Sequence, residues 1–261
     1  MTFKVLQLGE TSIFYEEQGS GLPVVLIHAG YLDSRMWDNQ VKAFSKKYRV
    51  IRYDVRGLGR SSRSKAKYSD AADLLALLDH LKIRKAVLVG VSNGGRISFD
   101  FAVEHPDRVA AMIPVDFGIK GYRSSGSEED KLWKKVSEQE PEYLRLRKEG
   151  KFREAAAIDV DLWTSALSGK AREQILDIAQ ENVHTDDDDP DSFQVSPEPP
   201  TFQRLGVLKM PILMIMGHRD VPGMIALNRS VHSLIPESEL SLSKEPITFR
   251  ASRNLRNSTG L

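Results

Sequence analysis

Gly90-Val91-Ser92-Asn93-Gly94-Gly95 follows the apolar run Ala86-Val87-Leu88-Val89 and precedes a helix-patterned segment, Arg96 to Glu104. A serine in G-x-S-x-G between a buried strand and a helix fits a nucleophile elbow, the sharp turn that presents a hydroxyl at the edge of a sheet. The turn needs small neighbours, because side chains at the flanking glycine positions would clash as the helix folds back on the strand. Gly90 and Gly94 meet that need. The alternative is a plain tight turn whose serine only caps the helix.

Outward from this turn, strands and helices alternate, the pattern of a mostly parallel sheet wrapped by helices. The expected strands are Thr11 to Glu17, Val24 to His28, Arg49 to Tyr53, Ala86 to Val91 and Val109 to Val115. Met36 to Lys47 has helical spacing through Trp37, Val41 and Phe44, and Ser69-Asp70 caps a helix carrying Leu74, Leu75, Leu77, Leu78 and Leu81. The helix after the elbow stops at His105-Pro106, since proline cannot continue it. From about Ile119 to Pro200 no strand is expected. Lys131 to Gln139, Lys151 to Leu167 and Ala171 to Asn182 read as helices, while Asp186 to Asp189 and Ser196 to Pro200 read as linker. The order resumes with a strand Ile212 to Met216, a helix Pro222 to Leu234 and a strand Glu239 to Ser243. The domain reading is therefore a core over 1–118 and 201–261, atypical from 244, with a helical cap inserted at 119–200.

A chain of 261 residues can bury one full α/β core. Lys plus Arg number 37 against 36 Asp plus Glu, so nothing points to nucleic acid or an anionic membrane as partner. Cysteine is absent, which excludes disulfides, thiol catalysis and cysteine-ligated zinc. Met1 to Glu10 lacks the basic start and apolar stretch of a signal peptide, and no apolar run reaches membrane-spanning length, so a cytoplasmic protein is expected.

Further motifs fall in order along the chain. His28-Ala29-Gly30 ends the strand that begins at Val24, Asp54-Val55-Arg56-Gly57-Leu58-Gly59-Arg60-Ser61 follows the strand Arg49 to Tyr53, and Gly217-His218-Arg219-Asp220 follows the strand Ile212 to Met216. With the elbow, they resemble the capped α/β-hydrolase family from about Thr11 to Leu242, with closest likeness to its enol-lactonase-like and small esterase-like members. Ala29 departs from the pattern, standing where glycine is usual. The resemblance implies an α/β-hydrolase fold and a small-molecule ester or lactone as substrate, with no cofactor and no metal. Oligomeric state stays open.

Ser92 is the candidate nucleophile, since an exposed hydroxyl on the elbow can reach a carbonyl carbon. The Asn93 N–H lies at a helix N-terminus, where donors are unpaired and the dipole favours negative charge; the Gly30 N–H would complete an oxyanion hole. Asp220, directly after a buried strand, is the candidate acid that holds an imidazole in its tautomer, with Asp116 in reserve. His28 reads as a brace of its loop, and Asp54 with Arg56 as a structural ion pair. His184 beside Asp186 to Asp189 reads as solvated linker rather than a metal site. Trp133 and Trp163 either line a pocket under the cap or pack its core.

The general base is missing from this reading. In this fold the order is Ser…Asp…His, and of the six histidines only His232 follows Asp220. His232 falls in a helix, not in the loop after the strand Glu239 to Ser243 where the resemblance places the base, and is a weak candidate base. The tail from Lys244 to Leu261 has no helical period. If Ser243 to Arg250 is encoded TCG AAG GAG CCG ATC ACC TTC CGG, one added A before it reads Ile-Glu-Gly-Ala-Asp-His-Leu-Pro, which resembles the family's histidine loop. A lost base near Ser243 is therefore expected, and with it an impaired chain short of its base and last helix. Two rival functions remain open: a non-catalytic ligand-binding protein on the same fold, and a cofactor-free peroxidase-like or C–C-cleaving hydrolase.

Overall fold

The computed structural model describes residues 2–122, 126–184 and 193–243. Eight strands form one sheet in the order β1-β2-β4-β3-β5-β6-β7-β8. They are β1 (Thr2–Leu8), β2 (Thr11–Gln18), β3 (Pro23–Ile27), β4 (Arg49–Tyr53), β5 (Ala86–Val91), β6 (Val109–Val115), β7 (Leu213–Gly217) and β8 (Glu239–Ser243). β2 pairs antiparallel with β1 and with β4, and every other pairing is parallel.

The central parallel strands β3 and β5 are apolar on both faces, as a sheet covered twice requires. On β3, Val25 and Ile27 join Leu74, Leu77 and Phe101 on one side. Val24 and Leu26 join Trp37, Val41 and Val160 on the other. Those partners come from the 3-10 turn Ser34–Trp37, α1 (Asp38–Phe44), α2 (Asp70–His80), α3 (Asn93–Glu104) and α5 (Phe152–Trp163). Between β6 and β7 the chain runs through α4 (Ser127–Lys148), α5 and α6 (Gly169–Glu181), then a short 3-10 helix, Thr201–Val207. The last helix, α7 (Pro222–Leu234), joins β7 to β8.

Several expectations are corrected here. β1 was not expected; Phe3 and Val5 are 63% and 58% exposed while Leu6 is buried, so apolar residues on both faces blur the period of two. The Met36 to Lys47 helix divides into a 3-10 turn, Ser34–Trp37, and α1. α4 runs well past Gln139 and through Pro141, on a largely exposed helix whose Glu128, Glu129 and Asp130 start and Arg145, Arg147 and Lys148 end complement its dipole. α5 stops at Trp163 rather than Leu167, because Thr164 turns its hydroxyl back to the Val160 carbonyl at 2.6 Å. The linker expected at Ser196 to Pro200 runs directly into the 3-10 helix. Asp186 to Asp189 and the tail 244–261 lie outside the described residues. No described helix is long and apolar enough to cross a membrane.

Candidate active site

Ser92 occupies the turn from β5 to α3 with φ +52° and ψ −110°, a conformation L-residues rarely adopt and one that costs about 1–3 kcal/mol. Its surroundings hold it there. The Ser92 N–H donates to the Val115 carbonyl at 2.9 Å, and its own carbonyl accepts from the Arg96 N–H at 3.1 Å. The flanking glycines are required by space: a Cβ on Gly90 would lie 2.2 Å from the Gly94 oxygen, and one on Gly94 would lie 2.2 Å from the Ile27 oxygen.

The first residue of α3 meets the loop after β3. A Cβ on Gly30 would lie 3.4 Å from the Asn93 Cβ, so the two backbones proposed to supply oxyanion donors are neighbours. Arg96 steadies that corner, donating from Nε to the Asn93 side-chain oxygen at 2.7 Å. Arg96 is itself buried between Asp70 and Asp100, at 2.5 and 2.7 Å. His28 is fully buried. Its Nε2 accepts from the Val55 N–H at 2.8 Å, which leaves the proton on Nδ1, 2.8 Å from the Ala29 carbonyl. It therefore braces the loop, as expected.

Asp54 and Arg56 do not pair with each other. Asp54 is taken up by the N–H groups of Ser34 and Arg60, both at 2.9 Å. Arg56 instead reaches α2 and grips Asp73 with two bonds of 2.7 and 2.6 Å. The bidentate fork outcompetes a carboxylate already saturated by backbone donors.

Ser92, Asp116 and Asp220 line one cleft. Asp220 follows β7 and accepts from the Val221 N–H at 2.7 Å. Asp116 follows β6 with φ +40° and accepts from the Gly217 N–H at 2.9 Å. The two carboxyls are hydrogen-bonded to each other. Burial pushes both above the usual carboxylate range, and the neighbouring Asp220 charge helps push Asp116 to about 8. One proton is thus held between them at neutral pH. The pair shares that proton, with the stronger upward push on Asp116. Both carboxyls named from the sequence, Asp220 and Asp116, border this cleft.

The residues from Trp163 to Leu167, the turn after α5, also line the cleft, with Tyr31, Arg219 and Met224. Burial holds the Tyr31 hydroxyl protonated far above the neutral range. Arg219 is exposed and has no ion-pair partner among the described residues. Sequence reasoning missed Tyr31, Thr164, Ser165, Arg219 and Met224. Arg219 had a signal, its place inside the turn that carries Asp220; the two hydroxyl residues had none, because only tertiary packing brings that turn back over Ser92.

None of the six histidines lines this cleft among the described residues. His232 sits near the C-terminal end of α7, two turns beyond Met224, with Nδ1 2.8 Å from the Ser238 hydroxyl. His218 is exposed, its Nδ1 2.9 Å from the Ser243 carbonyl. Trp163 lines the cleft; Trp133 does not. No group of three or more potential metal ligands converges among the described residues.

Comparison with known proteins agrees with the architecture. A family model described as alpha/beta hydrolase fold matches residues 23–241. A non-heme chloroperoxidase of Streptomyces lividans is 42% identical over 112 residues, 40% of this chain and 41% of that protein. The chain thus spans about two fifths of the length of the curated relatives it matches. The enol-lactonase of Burkholderia xenovorans LB400 has a similar structure, with a TM-score of 0.69 and 22% identity over 94% of this chain and 93% of that one. A thermophilic esterase of Thermogutta terrifontis superposes with a TM-score of 0.64 at 25% identity, over 89% and 85% of the two chains. A match over this span, with a strained serine between β5 and α3, means that the chain belongs to the alpha/beta hydrolase fold family.

Proposed function

We propose that this chain is built to cleave a small carboxylic ester or lactone through an acyl-serine, under a cap formed by residues 119–200. The reading rests above all on Ser92 and Asp220 lining one cleft, beside neighbouring Asn93 and Gly30 backbones. The Ser92 hydroxyl attacks the carbonyl carbon while a histidine takes its proton. The oxyanion accepts from the Asn93 and Gly30 N–H groups, each donor worth about 3 kcal/mol. Charged Asp220 orients the imidazole and stabilises its protonated form; neutral Asp116 fixes Asp220 in turn. Collapse breaks the carbon–oxygen bond, the histidine returns its proton to the leaving oxygen, and water then cleaves the acyl-enzyme.

The histidine is the part this chain does not bring to the cleft. His232 is too far along α7 for the role. The base belongs in the loop after β8, and one base lost near the codon for Ser243 accounts for its absence. Sequencing the gene across the codons for Leu242 to Pro246 tests this: an added base is expected, and an unaltered frame overturns it.

A second reading follows from the same vacancy. A chain with Ser92 and Asp220 but no imidazole binds small esters without turning them over. Initial rates on short-chain esters and lactones, set beside calorimetric binding of the same compounds, separate the two. Saturable binding without turnover in a chain whose frame is confirmed supports the second reading; turnover abolished by Ser92→Ala supports the first.

A further inference from the structure

Trp163 is the last residue of α5 and lines the cleft that holds Ser92. Its ring meets that of Trp133, on α4, edge to face: the centroids are 6.3 Å apart and the planes 63° from parallel. Trp133 is 49% exposed. The pair therefore reaches from the wall of the cleft to solvent. Beneath it, Leu132, Leu162 and Met224 form a small apolar cluster of their own, and Met224 also lines the cleft.

Core packing does not account for this arrangement. A core aromatic is covered, whereas Trp133 leaves half of its surface in water. Other aromatic faces in this chain are taken by cations: Arg60 lies over Phe14, Arg56 over Tyr68 and Arg147 over Tyr143. No cation stacks on Trp133 or Trp163 among the described residues. Around Trp163 the cleft wall sets Ala166, Leu167 and Met224 beside Thr164, Ser165 and Arg219. An indole on the cleft wall with no cation stacked on it among the described residues, backed by a half-exposed second indole, suits a flat π-face, since aromatic pairs gain from offset and edge-to-face contact beyond the area they bury.

We infer that Trp163, backed by Trp133, is a subsite for an aromatic ring on the substrate, so that the chain takes aryl- or arylalkyl-bearing esters or lactones. This rests on the ester and lactone reading above and names its substrate class. The ring lies against Trp163 while the carbonyl carbon sits at Ser92; Trp133 shields the outer side of the pair from water.

The test compares two boronic acids with the same boron chemistry and similar apolar bulk, phenethylboronic acid and hexylboronic acid, by isothermal titration calorimetry on the full chain. The phenethyl compound is expected to bind about threefold to tenfold tighter. Trp163→Leu should erase that preference, Trp163→Phe should keep most of it, and Trp133→Ala, an exposed change that leaves folding intact, should reduce it. Equal binding of the two compounds, no binding of either, or a preference that survives both Trp163→Leu and Trp133→Ala overturns the subsite. Ser92→Ala separates this from the reading beneath it. If Ser92→Ala binds both compounds as tightly as the unchanged chain, the nucleophile assignment fails, and the ring preference is still decided by the tryptophan variants.

Discussion

The chemistry of this chain is concentrated at a few residues whose positions carry strain or shifted charge. Ser92 keeps a positive φ only because Gly90 and Gly94 let α3 fold onto β5 and β3. Gly94→Ala should therefore cost about 1–3 kcal/mol, since a Cβ there meets fixed backbone rather than a movable side chain. Chemical denaturation reads this directly, and an unchanged midpoint would contradict the packing described. Asp116 offers a second test. Its carboxyl holds a proton up to about pH 8 in the folded chain, against 3.8 as its ordinary value. The folded state thus binds a proton that the unfolded chain has released, so this contribution to stability is complete below about pH 4 and lost as pH rises through about 8. Asp116→Asn keeps a neutral donor to Asp220 and an acceptor for Gly217. Its melting temperature should fall less than that of the unchanged chain between about pH 5 and pH 8.5; parallel curves would show that Asp116 is not the proton carrier. That Ser92 and Asp220 border one cleft was legible in the sequence because each sits in a local turn motif. Tyr31 and Thr164 were not, because nothing local distinguishes them from loop residues.

Single side chains tie neighbouring elements together at the site. Arg96 joins α3 to Asp70 at the start of α2 and to Asp100 one turn on, and both carboxylates are buried. Arg96→Leu strands two buried charges and should cost about 3–5 kcal/mol; a loss below about 1 kcal/mol in denaturant melts would show that water reaches them. At the end of α6, Asn182 accepts from the Gly59 N–H at 2.6 Å and donates to Asp33 at 3.1 Å. It thereby clips the inserted helices to the loops after β3 and β4. Asn182→Leu leaves the Gly59 N–H without its side-chain acceptor and takes one donor from Asp33, which keeps Arg35, at a cost of about 1–3 kcal/mol, and should raise hydrogen exchange along α6 before it does so in the sheet. Elements with one clean period were legible: the leucine stripe of α2 and the apolar β5 both fall where expected. α4 extends beyond the expected Lys131 to Gln139 at both ends, because a largely exposed helix shows little apolar period and absorbs the one hydrogen bond that Pro141 cannot donate. α5 was read too long because its apolar pattern continues through Leu167, where the Thr164 turn has already ended it.

At the scale of the whole molecule, motif order decided the fold. The loops after β3, β5 and β7 converge at the carboxyl edge of a parallel sheet, where open α/β sheets place their sites. Each loop brings one part: Gly30, Ser92 with Asn93, and Asp220. The next strand in that series is β8, whose last residue, Ser243, accepts through its carbonyl from the His218 N–H at 3.1 Å. A base placed there would complete the set. What the sequence could not convey was the substrate wall, because the turn from Trp163 to Leu167 reaches Ser92 only once the inserted helices pack.

The central claim is that Ser92 and Asp220 form a hydrolytic site short of one histidine, encoded in the alternative frame just past β8. The most direct measurement is the initial hydrolysis rate of short-chain esters and lactones by the chain as given, by the chain with that frame restored from Ser243, and by the restored chain carrying Ser92→Ala. The account predicts that restoration raises the rate at least about a thousandfold and that Ser92→Ala removes the gain. Equal rates before and after restoration, or a gain that survives Ser92→Ala, would contradict it.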